Sequence, residues 1–243
     1  MRSMEAESID LILSSPPYPG ADMWNVSEGE LTQLNIVAIR EAHRLLRADG
    51  VLAWQVADVP RGDHGILTTT TTTTIAAHEL GMRLRAQIVW DKGCSHLPPP
   101  AFMRRPCIPA LTHEWLLVFY KRHWVPREKK SGLGEYKKYL TSSVWRIPAD
   151  REGRKEGHIA PYPLELALRA IAMWSLPSDI VLDPFAGSGT TGVAAIRLGR
   201  RFIGFEINAD YCQKANERIQ AETAGQDVRS YREGQSVINF NSC

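Results

Sequence analysis

Ile180-Val181-Leu182-Asp183-Pro184-Phe185-Ala186-Gly187-Ser188-Gly189-Thr190-Thr191-Gly192 is the stretch on which the architecture turns. A short apolar strand runs into an acid and a glycine-rich turn, and Val193 to Leu198 continues with helical character. Arg201-Phe202-Ile203-Gly204-Phe205-Glu206 then reads as another strand, ending in a carboxylate. Strand, glycine turn, helix and acid-terminated strand form the nucleotide-binding unit of an open α/β sheet. Gly187, Gly189 and Gly192 satisfy G-x-G-x-x-G, and Glu206 lies 17 residues beyond Gly189. Glycines let a backbone approach a ligand closely, and a carboxylate at the next strand end can accept from two ribose hydroxyls. That pattern suits NAD and S-adenosylmethionine alike. Asp183 tips the balance, because a carboxylate there opposes a pyrophosphate and suits the ammonium and sulfonium of a methionyl group. An acid that caps the turn ahead of Pro184 is the alternative.

Upstream, Pro163 marks a helix start and Leu164 to Trp174 a strong helix. From the N-terminus, strands are expected at residues 9–14, 51–56, 84–90 and 113–120, and a helix over Glu30 to Leu46. The seven threonines Thr68 to Thr74 are β-branched and poor helix formers. Their place between two strands nevertheless predicts a crossover helix. The alternation implies a Rossmann-like, mostly parallel twisted sheet with helices on both faces and a small basic insertion.

The first strand leads into Ser15-Pro16-Pro17-Tyr18. Proline lacks an N–H and fixes φ, so the sheet stops there and a stiff tip stands at the carboxyl end of a strand, the ligand edge of such sheets. The tip offers a hydroxyl, backbone carbonyls of set direction and an aromatic face. A planar base with an exocyclic amine can use all three.

The 243 residues, 44% hydrophobic and 23% charged, suit one large domain with a sizeable core, or one domain carrying an insertion. No apolar run approaches the ~20 residues of a bilayer span. The cysteines, Cys94, Cys107, Cys212 and Cys243, form no C-x-x-C pair. They predict reduced thiols of a cytoplasmic protein, with neither a disulfide frame nor a zinc site. The net charge of +2 conceals an asymmetry: residues 92–157 hold 14 Lys+Arg and 6 Asp+Glu, or +8, which leaves −6 elsewhere. A basic segment beside an acidic body predicts a polyanion bound on one side, with a merely solvated basic surface as the alternative.

Ser15-Pro16-Pro17-Tyr18 and Asp183-Pro184-Phe185-Ala186-Gly187-Ser188-Gly189-Thr190-Thr191 together resemble the DNA amino-methyltransferases, which methylate cytosine N4 or adenine N6 from S-adenosylmethionine. Catalytic tip first, basic stretch in the middle and cofactor loop last resembles the β-group permutation. His158-Ile159-Ala160-Pro161-Tyr162-Pro163-Leu164 resembles the segment that precedes the cofactor strand, and Ser15 resembles the cytosine-N4 subgroup. The resemblance implies residues 1–91 as a catalytic half, 92–157 as a DNA target-recognition region with one core strand near 114–120, and 158–243 as a cofactor half. Ser15, Pro16, Pro17 and Tyr18 become catalytic. Pro163, Asp183, Phe185, Gly187, Ser188, Gly189, Thr190 and Glu206 become cofactor-binding, with no metal. The implied partners are double-stranded DNA, a cognate restriction endonuclease and a second copy in a homodimer. The family's additional strand does not precede the tip here: either the segment around Val228 to Tyr231 supplies it, or it is missing.

Adenine-N6 methylation, methylation of RNA or a protein amide, and a non-catalytic DNA-binding module on a relic cofactor fold stand as alternatives. Pro106-Cys107 resembles the cytosine-C5 nucleophile, but it sits upstream of the cofactor loop with nothing around it to support attack on a ring carbon. The H-x-E and P-C-x-x-C signatures of zinc deaminases are absent.

Overall fold

The computed structural model describes residues 1–17, 26–60, 65–93, 112–123, 134–149, 162–226 and 228. Seven strands form the main sheet: β1 (Ile9–Ser14), β2 (Leu46–Val56), β5 (Arg83–Asp91), β6 (His113–Tyr120), β7 (Val144–Arg146), β8 (Ile180–Asp183) and β9 (Arg201–Gly204). β3 (Val59–Pro60) and β4 (Ile66–Leu67) make a separate two-stranded ribbon. The main order is β7-β5-β6-β2-β1-β8-β9. β1 pairs in parallel with β2 and β8, β8 with β9, and β5 with β7. β6 is antiparallel to both its neighbours, β2 and β5, so the other six strands share one direction. The carboxyl ends of β1, β2, β5 and β8 and the start of β6 therefore meet at one edge.

All six residues of β1 are buried, as a strand covered on both faces requires. One face is covered by α1 (Glu28–Leu45) and α2 (Thr69–Glu79), whose Ile39, Ala42, Leu45, Ala76 and Ala77 pack on Ile12, Leu52, Trp54 and Phe119. The other is covered by α3 (Leu164–Trp174) and α4 (Thr190–Arg197), packed on Leu11, Leu13, Ala53 and Leu116. α5 (Ala209–Thr223) lies against α4. Helix α1 begins ahead of Glu30 because Ser27 and Glu30 form a capping box.

The threonine run is helical, against its propensity, because partners outside it compensate. Asp58 accepts from the Thr70 N–H and hydroxyl, each at 2.9 Å. Thr72 and Thr74 bond back to carbonyls three and four residues earlier. Thr73 is fully buried and accepts from Asn35 Nδ2 at 3.0 Å, while Asn35 Oδ1 accepts from Trp54 Nε1 at 2.7 Å.

The basic region contributes more to the core than the single strand expected near 114–120. Gly134–Thr141 is a 3₁₀ helix, and Val144–Arg146 joins the main sheet beside β5. Trp145 is buried and stacks on Trp174 with ring centroids 6.0 Å apart, and the Arg169 guanidinium lies 3.5 Å from the Tyr139 ring centroid. Part of the region's positive charge is also turned inward. Lys121 is 3% exposed, donating to Glu7 at 3.0 Å and to the Leu46 carbonyl at 2.8 Å. Arg122 and Arg146 pair with Glu7 and Asp91 but remain exposed.

The expectation of four free thiols fails at Cys212, which is disulfide-bonded. No helix among the described residues is long and apolar enough to cross a membrane. Of the segment around Val228 to Tyr231, one of the two alternatives for the additional strand, only Val228 is among the described residues, and it is helical.

Candidate functional site

Parallel pairing of β1 with β8 sets Leu11 against Val181 and Ile12 against Leu182, so Ser14 and Asp183 end their strands side by side. Ser14 Oγ donates to Asp183 Oδ1 at 2.5 Å, and both residues are essentially buried. The same Oδ1 accepts from the Phe185 N–H at 3.0 Å. Oδ2 accepts from the Thr191 hydroxyl. With its proton committed to Asp183, Thr191 Oγ1 accepts from Tyr162, whose buried hydroxyl bonds to it. Desolvation and the Asp183 charge push the Tyr162 phenol well above its usual range. Asp183 thus joins the Ser15-Pro16-Pro17 tip, the glycine turn, α4 and the segment leading into α3. The ammonium-facing role expected of it meets a carboxylate that already holds three donors from its own chain.

Burial pushes the Asp183 carboxyl from its ordinary 3.8 to about 6, against the Ser14, Thr191 and Phe185 hydrogen bonds, which pull it down; the Glu206 charge adds a smaller upward push. A carboxyl whose pKa rises on folding binds its proton more tightly in the native state. Its contribution is fully present below pH 3.8 and is lost as pH rises through about 6. The loss is about 3 kcal/mol at 1.36 kcal/mol per pKa unit. Wild-type unfolding free energy, measured against Asp183→Asn, is expected to fall by that order between pH 4 and 6.5. A constant difference would mean that burial does not shift this carboxyl.

Beyond Asp183 the turn closes on itself. Phe205 N–H donates to the Asp183 carbonyl and Ala186 N–H to the Phe205 carbonyl, each at 2.9 Å. Gly187 and Gly189 sit in the left-handed region at φ 51° and 82°. A Cβ on Gly189 would meet Ala215 Cα at 2.9 Å, and one on Gly192 would meet Ile219 and Phe202 atoms at 2.5 and 2.8 Å. The last two glycines of the fingerprint therefore serve the packing of α4 on α5 and β9, while Gly187 shapes the turn. Glu206 accepts from the Gly187 N–H with Oε2 and from the Asn208 N–H with Oε1, both at 2.8 Å. Each oxygen keeps a second acceptor site.

At the tip, Pro16 is buried and Ser15 and Pro17 are half-buried. Ser15 Oγ donates to Gln55 Oε1, Gln55 Nε2 donates to Glu114 Oε2, and Lys92 Nζ pairs with Glu114 Oε1. The register explains the row. Ser14 pairs with Trp54, Gln55 with Leu116, and Trp90 with Glu114. Side chains alternate along strands, so residues 15, 55, 114 and 92 fall on the α3 face with Leu13, Ala53, Leu116 and Trp90.

Ser15, Pro16, Asp183, Gly187 and Glu206 thus gather at one edge. Phe185 turns to the opposite face, edge-on to Trp54 at 6.2 Å. Ser188 and Thr190 direct their hydroxyls to Arg218 of α5, at 2.9 and 3.4 Å. Pro163 caps α3, its carbonyl accepting from the Leu166 N–H at 3.0 Å. Tyr18, Trp24, Cys107 and the His158–Pro161 stretch lie outside the described residues. Sequence reading misses Tyr162 and Thr191 as bonding residues, passes over Gln55, Lys92 and Ile207, and takes His113-Glu114 as the structural start of a strand. Ile207 follows the strand-ending acid and is fully exposed. That position, immediately after Glu206, was the available signal. For the other residues, no local pattern distinguishes a buried partner from an ordinary polar residue.

Comparison with known proteins bears on the family and the fold. Residues 9–217 match the N6/N4 family described as DNA methylase. The type II methyltransferase M.MjaI of Methanocaldococcus jannaschii is 28% identical, over 90% of this chain and 88% of its own. A DNA modification methylase of Thermus thermophilus, solved with S-adenosyl-L-methionine, superimposes with a TM-score of 0.74 at 28% identity, covering 93% of each chain. The PvuII cytosine-N4-specific DNA methyltransferase shares the fold, with a TM-score of 0.71 at 21% identity over 93% of this chain and 89% of that one.

Proposed function

The chain belongs to the N6/N4 DNA methylase family, and we propose that it transfers a methyl group from S-adenosylmethionine to the N4 amine of a cytosine flipped out of double-stranded DNA. The carrying observation is the Ser14–Asp183 bond, which fastens the residue before the Ser-Pro-Pro tip to the first residue of the glycine turn. Two segments far apart in sequence, one suited to an amine and the other to a nucleoside, meet at one sheet edge.

The residues present fit the cofactor. Gly187 gives a left-handed turn open to close approach, Glu206 keeps acceptor sites for ribose hydroxyls, and Ile207 offers an exposed apolar surface beside that acid. When bound, S-adenosylmethionine supplies an electrophilic methyl on a sulfonium. The protein's part is to hold the amine. Its lone pair is delocalised into the ring, and Ser15 Oγ and the Pro16 carbonyl accept its two hydrogens and localise that pair. The N–C bond forms as the S–C bond breaks, and the amine gives up one proton to solvent. Most of the rate gain is positional. Tyr18 stacks on the base, and basic residues of 92–157 contact phosphates and offset the few kcal/mol needed to flip the base. The hydroxyl at position 15 supports cytosine over adenine. The type II relative M.MjaI is consistent with a modification enzyme paired with a cognate endonuclease.

Incubating the protein with labelled cofactor and DNA, then digesting to nucleosides, tests the reading. N4-methylcytosine is expected, and N6-methyladenine alone would overturn the cytosine assignment. Glu206→Ala removes the acceptor beside Ile207 and is expected to weaken cofactor binding on the order of tenfold or more, the worth of a hydrogen bond to a charged group. An unchanged calorimetric dissociation constant would take Glu206 out of the ribose site.

A further inference from the structure

We propose that Gln55, Glu114 and Lys92 are positioning residues that set the hydrogen-bond polarity of Ser15, committing its hydroxyl hydrogen to the protein so that it meets the target amine as an acceptor. This inference rests on the methyl-transfer reading above and assigns a job to three residues that reading leaves idle.

A serine hydroxyl carries one hydrogen and two acceptor sites. Free to rotate, it can point its hydrogen at an amine, where it is useless, as readily as it can accept from one. Localising the amine lone pair needs the second state. The row of side chains leaves that state alone. Lys92 is an ammonium and only donates, and its partner Glu114 is a carboxylate that only accepts. Between Glu114 and Ser15 stands an amide with one end of each kind. Because Glu114 accepts, Gln55 must turn its NH₂ toward it. Its carbonyl then faces Ser15 and takes the hydroxyl hydrogen. Each residue's orientation is dictated by the one before it, from a charge at the rim to the reacting edge.

Burial makes the order strict. Gln55 is 1% and Glu114 7% exposed, so a misturned amide finds no water to correct it. The members come one each from four neighbouring strands, Gln55 and Glu114 within β2 and β6 and Ser15 and Lys92 just past the ends of β1 and β5, on one sheet face. The row orients and does not conduct protons, because an amide cannot pass one along without becoming an imidic acid.

The test exploits the polarity. In Glu114→Gln, Lys92 claims the new amide's carbonyl and the new NH₂ faces Gln55. Gln55 must then flip and present its own NH₂ to Ser15, which turns the hydroxyl hydrogen toward the base. We expect kcat to fall at least tenfold, with the DNA KM, the cofactor dissociation constant and the unfolding midpoint near wild type. Adding Lys92→Met frees the carbonyl of residue 114 to accept from Gln55, so the double variant is expected to recover to within about threefold of wild type. A structural role predicts further loss, not rescue. Wild-type kcat in Glu114→Gln, or a double variant no more active than the single, would overturn the proposal. Should Glu114→Gln not fold, Gln55→Met carries the test: a tenfold lower kcat at unchanged DNA KM supports it and an unchanged kcat overturns it. A wild-type protein that methylates no base overturns the underlying function as well. A wild type that methylates beside an unimpaired Glu114→Gln overturns the relay alone.

Discussion

Ser15→Ala is expected to lower the methyl-transfer rate by about 10²–10³, the usual consequence of removing a preorganised group that acts on the transition state. Ser15 is half-buried and its described side-chain bond is to Gln55, so its loss leaves strand pairing and the Asp183 cluster intact. The cofactor dissociation constant should therefore stay near wild type, while the buried Gln55 carbonyl, left without its donor, is expected to cost about 1–3 kcal/mol of stability. Single-turnover transfer to a duplex with calorimetric cofactor binding separates the two effects. Activity within a few fold of wild type would show that the amine is held by other groups. Weakened cofactor binding would show that the tip and the glycine turn are less separable than their bonding implies.

Asp183→Ala should do the opposite and fail at binding and stability together. Alanine leaves the Ser14 hydroxyl, the Thr191 hydroxyl and the Phe185 N–H without their acceptor in a site that water does not reach. A buried unsatisfied donor costs about 1–3 kcal/mol. Even with partial relaxation the expected loss is about 3 kcal/mol or more, large against a typical 5–15 kcal/mol of total stability. With the hub gone, β1–β8 pairing still sets the strand register, but the turn loses its side-chain tie to the tip and to Thr191, and cofactor binding should fall below detection. Denaturant unfolding and calorimetry check both, and a folded Asp183→Ala protein that binds cofactor like wild type would remove Asp183 from the centre of the site.

The contrast between these variants shows how much of the site is legible in the chain. Ser15 stands out because two prolines and an aromatic residue follow it at a strand end, a local signal. Asp183 stands out for the same kind of reason, an acid between an apolar strand and a glycine turn. Its partners do not, because they depend on β1 lying beside β8. Gly189 and Gly192 are recognisable as a fingerprint, but only the approach of Ala215, Ile219 and Phe202 shows that they are there for packing. The place of the threonine run in the alternation predicts a helix. The reason it succeeds, bonds to Asp58 and Asn35, lies outside the run. The charge asymmetry of 92–157 is real, yet Lys121 is folded inward onto Glu7.

The chain alone established the α/β alternation, the order of tip, basic stretch and glycine turn, and the chemistry each can offer. Those properties live in apolar periodicity and in the backbone demands of proline and glycine, which act over a few residues. Which polar groups meet was a matter for the fold. Ser14 and Asp183 are 169 residues apart, and Gln55 and Glu114 are 59 apart. Such pairings follow from strand order and register, which are set by the burial of many apolar side chains at once and leave no trace at the polar residues themselves.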